Sequence, residues 1–283
     1  MTMKMKAGNM MKKILAAAVF AFAAAADGAV SFRFVSWNIG HYAYGRWKDT
    51  RVAESNAVVR AWTYNGFLNE LGADVLGICE YSENFTSNGA HKASQALFGR
   101  YREQHIGPRE SWQWNAVFLN RFKVLEKRIK HYPKHHQNTY YIAVKVDLGG
   151  NRPAWFVQTH LDWGNYLPGH EDDRNDQMRI LIEDFKNEPR VVIAGDFNTL
   201  KWFPPAKKGG NWWDRANPEE FQKFVKAGYT LAHAGDRMTA PTHKPTMGID
   251  NVIVKGFKMT DVVIHDCRDL SDHMAVGCTL TAD

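Results

Sequence analysis

The stretch that decides the fold is VVIAGDFNTL, residues 191–200, in which a short apolar run is followed at once by polar residues. Val191 to Ala194 have the β-branched and apolar character of a buried strand. Asp196 and Asn198 follow that strand directly. Because a core strand holds the residues at its end in fixed positions, we interpret these two polar residues as parts of a site that handles charge.

Polar residues also follow other predicted strands. The strands and their polar residues are FRFVSWNIG (32–40) with Asn38, DVLGICE (74–80) with Glu80, and AWFVQTHLDWG (154–164) with His160. Apolar residues at helical spacing predict one helix at about 53–71 and another within 172–188. Each half of the chain therefore has the order strand, helix, strand, as an internal duplication would produce.

Five further segments have the alternation or β-branched content of strands, at 115–121, 139–148, 249–257, 259–267 and 273–280. Together with the helices they predict an α/β fold of two packed mixed β-sheets flanked by helices on both outer faces, a four-layer α/β/β/α sandwich. No tract rich in Pro, Gly or Ser divides the chain. The longest irregular stretch, residues 201–218, has the length of a functional loop.

The N-terminal segment has the pattern of a secretory signal peptide. Lys12 and Lys13 precede an apolar run over 14–26, and Ala24 with Ala26 forms an A-x-A-like cleavage site. The alternative is an ordinary first helix. The apolar run is too short to span a membrane comfortably, so we expect export to the periplasm or the exterior.

Removal of residues 1–26 would change the charge of the protein. The whole chain has 36 basic and 30 acidic residues, a formal net charge of +6, and the segment contains four lysines and no acidic residue. Residues 27–283, predicted to form a single domain, keep 32 basic and 30 acidic residues, a net charge of +2. This nearly neutral charge argues mildly against avid nucleic-acid binding, which relies on Lys and Arg at phosphates, but does not exclude it.

The sequence contains three cysteines. Cys79 lies inside an apolar run and is predicted to be a core residue. Cys267 and Cys278 flank RDLSDHMAVG symmetrically, as cross-strand partners would, and an exported protein can form disulfides. Two readings remain for this pair: a disulfide bridge, or two small buried side chains.

Five short motifs occur in order at the predicted strand ends: WNIG, CEYS, THLD, GDFN and SDH, with IDN before the last. Each alone has an ordinary structural reading, such as a turn residue for Asn38 or an Asx-turn for Asp196 with Asn198. Together they resemble the endonuclease/exonuclease/phosphatase superfamily, the metal-dependent phosphodiesterase fold of DNase I, over about residues 32–280. The resemblance implies the DNase I-like form of the four-layer sandwich and a single catalytic domain.

The resemblance also implies catalytic roles. Asp196 would orient and deprotonate the attacking water, and Asn198 would hold phosphate or water beside it. His273 would donate to the phosphoryl oxygen that gains charge in the transition state, while Asp250 would fix the tautomer and orientation of this histidine. His160 would be a second donor near the leaving oxygen and a candidate general acid.

The implied metal is Mg²⁺ or Mn²⁺, held by carboxylate and amide oxygens. Glu80 and Asn38 are the expected ligands, with Asp272 as a further ligand directly or through water. Asp272 has the alternative role of supporting His273 or the local backbone. Gly40 departs from relatives resembling the abasic-site endonucleases, which carry an acidic metal ligand at this position. That departure and the export segment argue against repair of genomic DNA.

The predicted function is that of a secreted or periplasmic phosphoesterase that requires a divalent metal. Its substrate would be a nucleic acid, a phospholipid headgroup or a small phosphoester, and we expect a monomer without a stable protein partner or a transmembrane segment. The alternative is a non-catalytic binding module of the same fold that uses Trp-rich loops. A module that has lost catalysis should have lost at least one of six residues, and all six are present: Glu80, Asp196, Asn198, Asp250, Asp272 and His273.

Two other features remain open from the sequence. The Trp-rich segments could provide stacking platforms, with Trp163 and Trp202 as the better candidates, or could pack loops onto the sheets. The tract KHHQN at 134–138 could bind a metal or be a solvated loop.

Overall fold

The computed structural model describes residues 28–40, 57–85, 91–109, 114–133, 139–163, 173–199, 220–240 and 248–283. Within these ranges twelve strands form two six-stranded sheets, accompanied by four helices. None of the helices in the described part is long and apolar enough to cross a membrane. Four predicted features lie outside these residues: the signal peptide, the KHHQN tract, the loop at 201–218, and Trp202.

Sheet 1 has the strand order β11-β12-β1-β2-β4-β3. Its strands are β1 (Val30–Asn38), β2 (Val75–Cys79), β3 (Glu103–Ile106), β4 (Ala116–Leu119), β11 (Lys258–His265) and β12 (Ala275–Ala282). β1 and β2 are parallel, and the other neighbours are antiparallel. The parallel pair therefore lies in the middle of the sheet, where both of its edges are hydrogen-bonded.

Sheet 2 has the strand order β5-β6-β7-β8-β10-β9. Its strands are β5 (Lys123–His131), β6 (Tyr140–Asp147), β7 (Pro153–His160), β8 (Val191–Asp196), β9 (Thr230–Leu231) and β10 (Asp250–Lys255). Only β7 and β8 are parallel, and they again lie in the middle. The two sheets share one strand arrangement, which is the arrangement that an internal duplication produces.

The helices are α1 (Ala57–Leu71), α2 (Ala93–Ala96), α3 (Asp173–Phe185) and α4 (Gln222–Lys226). Side chains of α1 and α2 belong to a buried cluster on the outer face of sheet 1, and side chains of α3 and α4 belong to one on the outer face of sheet 2. A third buried cluster lies between the sheets. The predicted four-layer α/β/β/α sandwich is confirmed.

Alternation along β1 shows how the sequence builds these layers, since successive side chains point to opposite faces of a strand. Phe34 belongs to the cluster between the sheets, where its ring lies 5.9 Å from that of Phe156 in β7. Trp37 belongs to the outer cluster, with its ring 6.0 Å from that of Tyr64 in α1. Burial of each such side chain contributes roughly 1.5–3 kcal/mol to stability.

A buried polar contact joins the sheets through Gln158 of β7. Its side-chain nitrogen donates to Ser36 Oγ and contacts Cys79 Sγ, both in sheet 1, at 3.1 Å each. The thiol of Cys79 in turn donates to the carbonyl oxygen of Thr159 at 3.1 Å. The Gln158 side chain occupies the space that a side chain at Gly77 would fill, since a Cβ there would lie 1.9 Å from Gln158 Oε1.

All three cysteines are free and buried. Cys267 belongs to the outer cluster of sheet 1, whereas Cys278 belongs to the cluster between the sheets. The two side chains therefore lie on opposite sides of the sheet, which excludes the disulfide and leaves the reading of two small buried residues. Cys79 is a core residue, as predicted.

Candidate active site

The carboxyl ends of the two parallel strand pairs meet at one rim of the sandwich. Asn38 ends β1, Glu80 follows β2, and His160 and Asp196 end β7 and β8 as paired residues. The Nδ2 atom of Asn38 lies 3.0 Å from Glu80 Oε1 and 3.1 Å from Asp196 Oδ2, so this amide bridges the two sheets. His160 Nε2 lies 3.5 Å from Asp196 Oδ2.

His273 and Asp250 complete the same group from the C-terminal part of the chain. Asp250 begins β10 directly opposite Asp196, and its Oδ2 accepts a hydrogen bond from His273 Nδ1 at 2.9 Å. The other ring nitrogen, His273 Nε2, lies 3.8 Å from Asp196 Oδ2. Asp250 thereby holds the imidazole so that Nε2 faces the carboxylate of Asp196.

Asn198 lies beside Asp196 through two contacts of its own. Its backbone N–H donates to Asp196 Oδ1 at 2.8 Å, which is the Asx-turn geometry, and its Nδ2 donates to the carbonyl oxygen of Leu161 at 2.8 Å. Asn198 and Glu80 both have positive φ, at 48° and 53°. Non-glycine residues adopt this conformation rarely, and it concentrates at functional sites.

Asp272 lies next to this centre, close to Gly40. Gly40 has a φ of 58°, and a Cβ added to it would lie 3.0 Å from Asp272 Oδ1. An acidic side chain at position 40 would thus be strained and would crowd the Asp272 carboxylate. The structure gives a local reason for the glycine at this position.

Burial disfavours the ionised form of all three carboxylates, and the neighbouring histidines oppose this effect to different extents. Glu80 has its pKa raised to about 8 by burial, against the opposing charge of His273. Burial likewise raises the pKa of Asp250 to about 6, although His273 favours its ionised form. Burial also opposes ionisation of Asp196, but His160 and His273 outweigh it and lower the pKa of this carboxyl.

The pKa values of the two histidines of the centre are shifted in opposite directions. Burial lowers the pKa of His160, despite the charge of Asp196. Burial acts in the same direction on His273, but the charge and hydrogen bond of Asp250 and the charge of Asp196 raise its pKa well above the usual value. At neutral pH we therefore expect a neutral His160 and a protonated His273.

Two groups of ligand atoms among the described residues are close enough to hold a metal ion. Glu80, His160 and Asp196 form one, and Asp196, Asp250 and His273 form the other, with the ligand atoms of each within 4.8 Å of one another. In the first group, His160 Nδ1 is buried without a hydrogen-bond partner, 4.0 Å from Glu80 Oε1. A divalent cation fits here, because it would use the imidazole and favour the ionised form of Glu80.

Ser271 is a supporting residue that sequence reasoning missed. Its hydroxyl donates to the backbone carbonyl of Asn38 at 2.7 Å and accepts from the backbone N–H of His273 at 3.1 Å. It links the end of β1 to the segment that carries His273. Its place in the SDH motif was a usable signal.

Thr239 and His233 support Asp250 and were also missed. Thr239 Oγ1 accepts from the backbone N–H of Asp250 at 3.0 Å. His233 Nδ1 accepts from the N–H of Gly235 at 3.1 Å, so His233 Nε2 carries the proton and donates to the Asp250 carbonyl at 2.7 Å. Neither residue lies in a recognisable motif, and the sequence held no signal for them.

Comparisons with known proteins agree with the fold. A profile described as the Endonuclease/Exonuclease/phosphatase family matches residues 35–273. A D. rerio TDP2 humanized by 14 mutations is similar at 17% identity and a TM-score of 0.62, covering 88% of this chain and 98% of that one. D. rerio TDP2 complexed with a single-strand DNA product is similar at 18% identity and a TM-score of 0.61, covering 90% of this chain and 99% of that one.

An endonuclease/exonuclease/phosphatase family protein from Bacteroides thetaiotaomicron is similar at 15% identity and a TM-score of 0.59, covering 90% of this chain and 99% of that one. No curated protein matched the sequence. At these identities the structural likeness establishes the fold alone, whereas the profile match extends over most of the chain. The chain belongs to the endonuclease/exonuclease/phosphatase family.

Proposed function

We propose that the protein is a phosphoesterase that requires a divalent metal and hydrolyses a phosphodiester or phosphomonoester by attack of water. The observation that carries the proposal is the centre in which the partly buried Glu80 and the buried Asp196 and Asp250 lie around two buried imidazoles. So many buried titratable groups cost stability unless they are paired, and they concentrate where proton transfer and charge stabilisation are needed.

Asp196 acts on the attacking water. The pKa of this carboxyl is lowered by His160 and His273 against the effect of burial, so it is ionised at neutral pH. Oδ1 is held by the backbone N–H of Asn198, and Oδ2 is the atom that faces the two imidazoles. A carboxylate fixed in this way orients a water molecule and accepts its proton as attack proceeds. Asn198 positions phosphate or water beside it.

His273 stabilises the phosphoryl oxygen that gains charge. Its Nδ1–H is held by Asp250, and its raised pKa keeps the ring protonated, so Nε2 carries a second N–H for donation. A fixed cationic donor in a buried site stabilises a developing oxyanion strongly. His160, which burial keeps neutral, stabilises the leaving oxygen as a hydrogen-bond donor.

Glu80 is the main metal-holding residue, because both the family pattern and the grouping of ligand atoms include it. Asn38 contacts Glu80 directly, and Asp272 is the further ligand that the family pattern implies. His160 and Asp196 are the additional candidates that the geometry contributes. A bound Mg²⁺ or Mn²⁺ would polarise a phosphoryl oxygen and stabilise the leaving group.

Nucleic acid, phospholipid headgroup and small phosphoester are the substrate classes to be distinguished. The DNA product bound to D. rerio TDP2 favours nucleic acid, whereas the charge of +2 on residues 27–283 does not. We propose that the protein acts as a monomer. The binding-module alternative is disfavoured because the predicted site residues are present and the catalytic ones converge.

We also propose that the protein is exported, from the Lys-Lys pair, the apolar run and the A-x-A-like site of residues 1–26. The expected result is a protein recovered outside the cytoplasm whose sequence starts at Asp27. N-terminal sequencing after expression with the native segment checks this. A chain retained in the cytoplasm with its N-terminus intact would contradict export.

The Asp196→Ala variant tests the reaction. The protein without residues 1–26 should cleave at least one of bis-p-nitrophenyl phosphate, plasmid DNA, sphingomyelin and p-nitrophenyl phosphate with Mg²⁺ or Mn²⁺, and EDTA should stop cleavage. Loss of a positioned proton acceptor should lower turnover by about 10²–10⁴-fold. Asp176→Ala, which removes a surface carboxylate paired with Arg179, is the matched control. Near-full activity in Asp196→Ala would identify the wrong base.

The Glu80→Gln variant tests the metal site. It keeps the size of the side chain and removes its charge, so we expect the Mn²⁺ dissociation constant to rise by about tenfold or more. Isothermal titration calorimetry measures this without relying on turnover. Glu183→Gln, at an exposed helix position, should leave binding unchanged. Identical Mn²⁺ isotherms for Glu80→Gln and the wild type would remove Glu80 from the ligands.

The Asp250→Asn variant tests the protonation of His273. The neutral amide removes the largest of the charges that oppose the effect of burial, so the pKa of His273 should fall, while the charge of Asp196 continues to raise it. An NMR titration of the His273 ring checks the direction of this change. Asp266→Asn, which removes an exposed carboxylate paired with Arg268, should leave the titration unchanged. An unaltered midpoint in Asp250→Asn would mean that Asp250 does not control this ring.

A further inference from the structure

One face of α3 carries two buried polar side chains for which the proposed reaction has no direct use. Arg174 and Gln177 are 4% and 0% exposed, and residues three apart lie on the same side of a helix. Gln177 reaches the segment that follows β7, and Arg174 is linked to the segment that follows β8. The two segments are those next to His160 and Asn198.

Gln177 holds the peptide group between Leu161 and Asp162. Its Oε1 accepts from the N–H of Asp162 at 2.8 Å, while its Nε2 donates to Thr139 Oγ1 at 3.0 Å. The carbonyl of the same peptide group, Leu161 O, accepts from Asn198 Nδ2 at 2.8 Å. One peptide unit thus connects Gln177 on its N–H side to Asn198 on its C=O side.

This arrangement fixes the acceptor that orients the Asn198 amide. A peptide plane held at its N–H cannot rotate freely, and chained hydrogen bonds strengthen one another. With Nδ2 directed to Leu161 O, the side-chain oxygen of Asn198 takes the other direction. The orientation of this amide therefore depends on Gln177, although the two side chains do not touch.

A second tether acts on the backbone after Asn198. Arg174 donates through Nε and Nη2 to the two oxygens of Glu220 at 2.8 Å each, a bidentate buried ion pair. The hydroxyl of Thr199, the residue after Asn198, donates to Glu220 Oε2. These contacts anchor the chain on the C-terminal side of Asn198.

We propose that Gln177 is a positioning residue for Asn198, acting through the Leu161–Asp162 peptide, and that the Arg174–Glu220 pair supports it through Thr199. The kinetic consequence rests on the proposed function, because Asn198 positions phosphate or water there. The orientation of the Asn198 amide is a property of the folded protein and is measurable without turnover.

The central comparison is between Gln177→Met and Thr139→Val. Gln177→Met removes both hydrogen bonds of the Gln177 amide, whereas Thr139→Val removes only the one between Gln177 Nε2 and the Thr139 hydroxyl. Only Gln177→Met frees the Asp162 N–H, because Thr139→Val leaves Gln177 Oε1 in place. A purely structural role for Gln177 predicts that loss of the Thr139 bond alone also affects Asn198, whereas a positioning role predicts an effect on Asn198 from Gln177→Met alone.

Hydrogen exchange of the Asn198 side-chain amide, followed by NMR, decides the proposal. Gln177→Met should speed this exchange by about tenfold or more, because the bond to Leu161 loses its fixed acceptor. Thr139→Val should leave it near the wild-type rate. Gln177→Glu should keep the exchange of the Asn198 amide near the wild-type rate, since a carboxylate accepts from both the Asp162 N–H and the Thr139 hydroxyl. Equal exchange in Gln177→Met and wild type, or equal acceleration in Thr139→Val, overturns the proposal.

A kinetic cycle adds a second readout. In the wild-type background Gln177→Met should lower turnover by about tenfold or more, and in an Asn198→Ala background it should have no further effect. Additive losses overturn the proposal.

If the wild type cleaves no phosphoester, the proposed function fails and the exchange experiment still decides the positioning role. If Gln177→Met does not fold, Thr199→Val replaces it in the exchange experiment. Thr199→Val should speed hydrogen exchange of the Asn198 side-chain amide. An unchanged exchange rate in Thr199→Val would contradict the second tether.

Discussion

The contact between Gln158 and Gly77 fixes the two sheets relative to each other, and the rest of the site depends on it. Asn38 and Glu80 belong to sheet 1, whereas His160 and Asp196 belong to sheet 2. A small sliding of one sheet past the other would separate the groups of sheet 1 from those of sheet 2, including Asn38 from Asp196. Gln158 prevents it by filling the space beside Gly77 and bonding to Ser36 and Cys79. The contacts of Gln158 between the two sheets, below the rim, thus set the alignment of the polar groups at the rim.

Steric limits act at the strand end as well. Gly195 has a φ of 140°, and a Cβ there would lie 1.8 Å from the carbonyl oxygen of Thr159. Only glycine allows β8 to approach β7 this closely just before Asp196, so the GDFN motif combines a backbone requirement with a chemical one. The paired strand ends hold Asp196 beside His160, whose opposite charge in the protonated form favours the ionised carboxylate.

The strand-end residues were predictable because periodicity locates strands, and parallel neighbours end at the same edge. β5 was not predicted, since this edge strand, KVLEKRIKH, is mostly charged and lacks clear alternation. The two-residue β9 is too short for any pattern. Gln158 was detectable as a polar residue in an apolar run. The ion pair between Arg174 and Glu220 was not detectable from the sequence, because these two residues are distant in the chain and only the tertiary structure brings them together.

The strands of sheet 1 are more widely separated in the sequence than the strands of sheet 2. The strands of sheet 2 all lie within residues 123–255, whereas β1 pairs along its length with β12, where Val30 lies opposite Ala282. Pairing between such distant segments is slow, because a long loop must close first. We expect sheet 2 to form early during synthesis and β1 to wait for β12. His273 lies two residues before β12, so Asn38 and His273 come together in the final step, and an incomplete chain has no assembled centre.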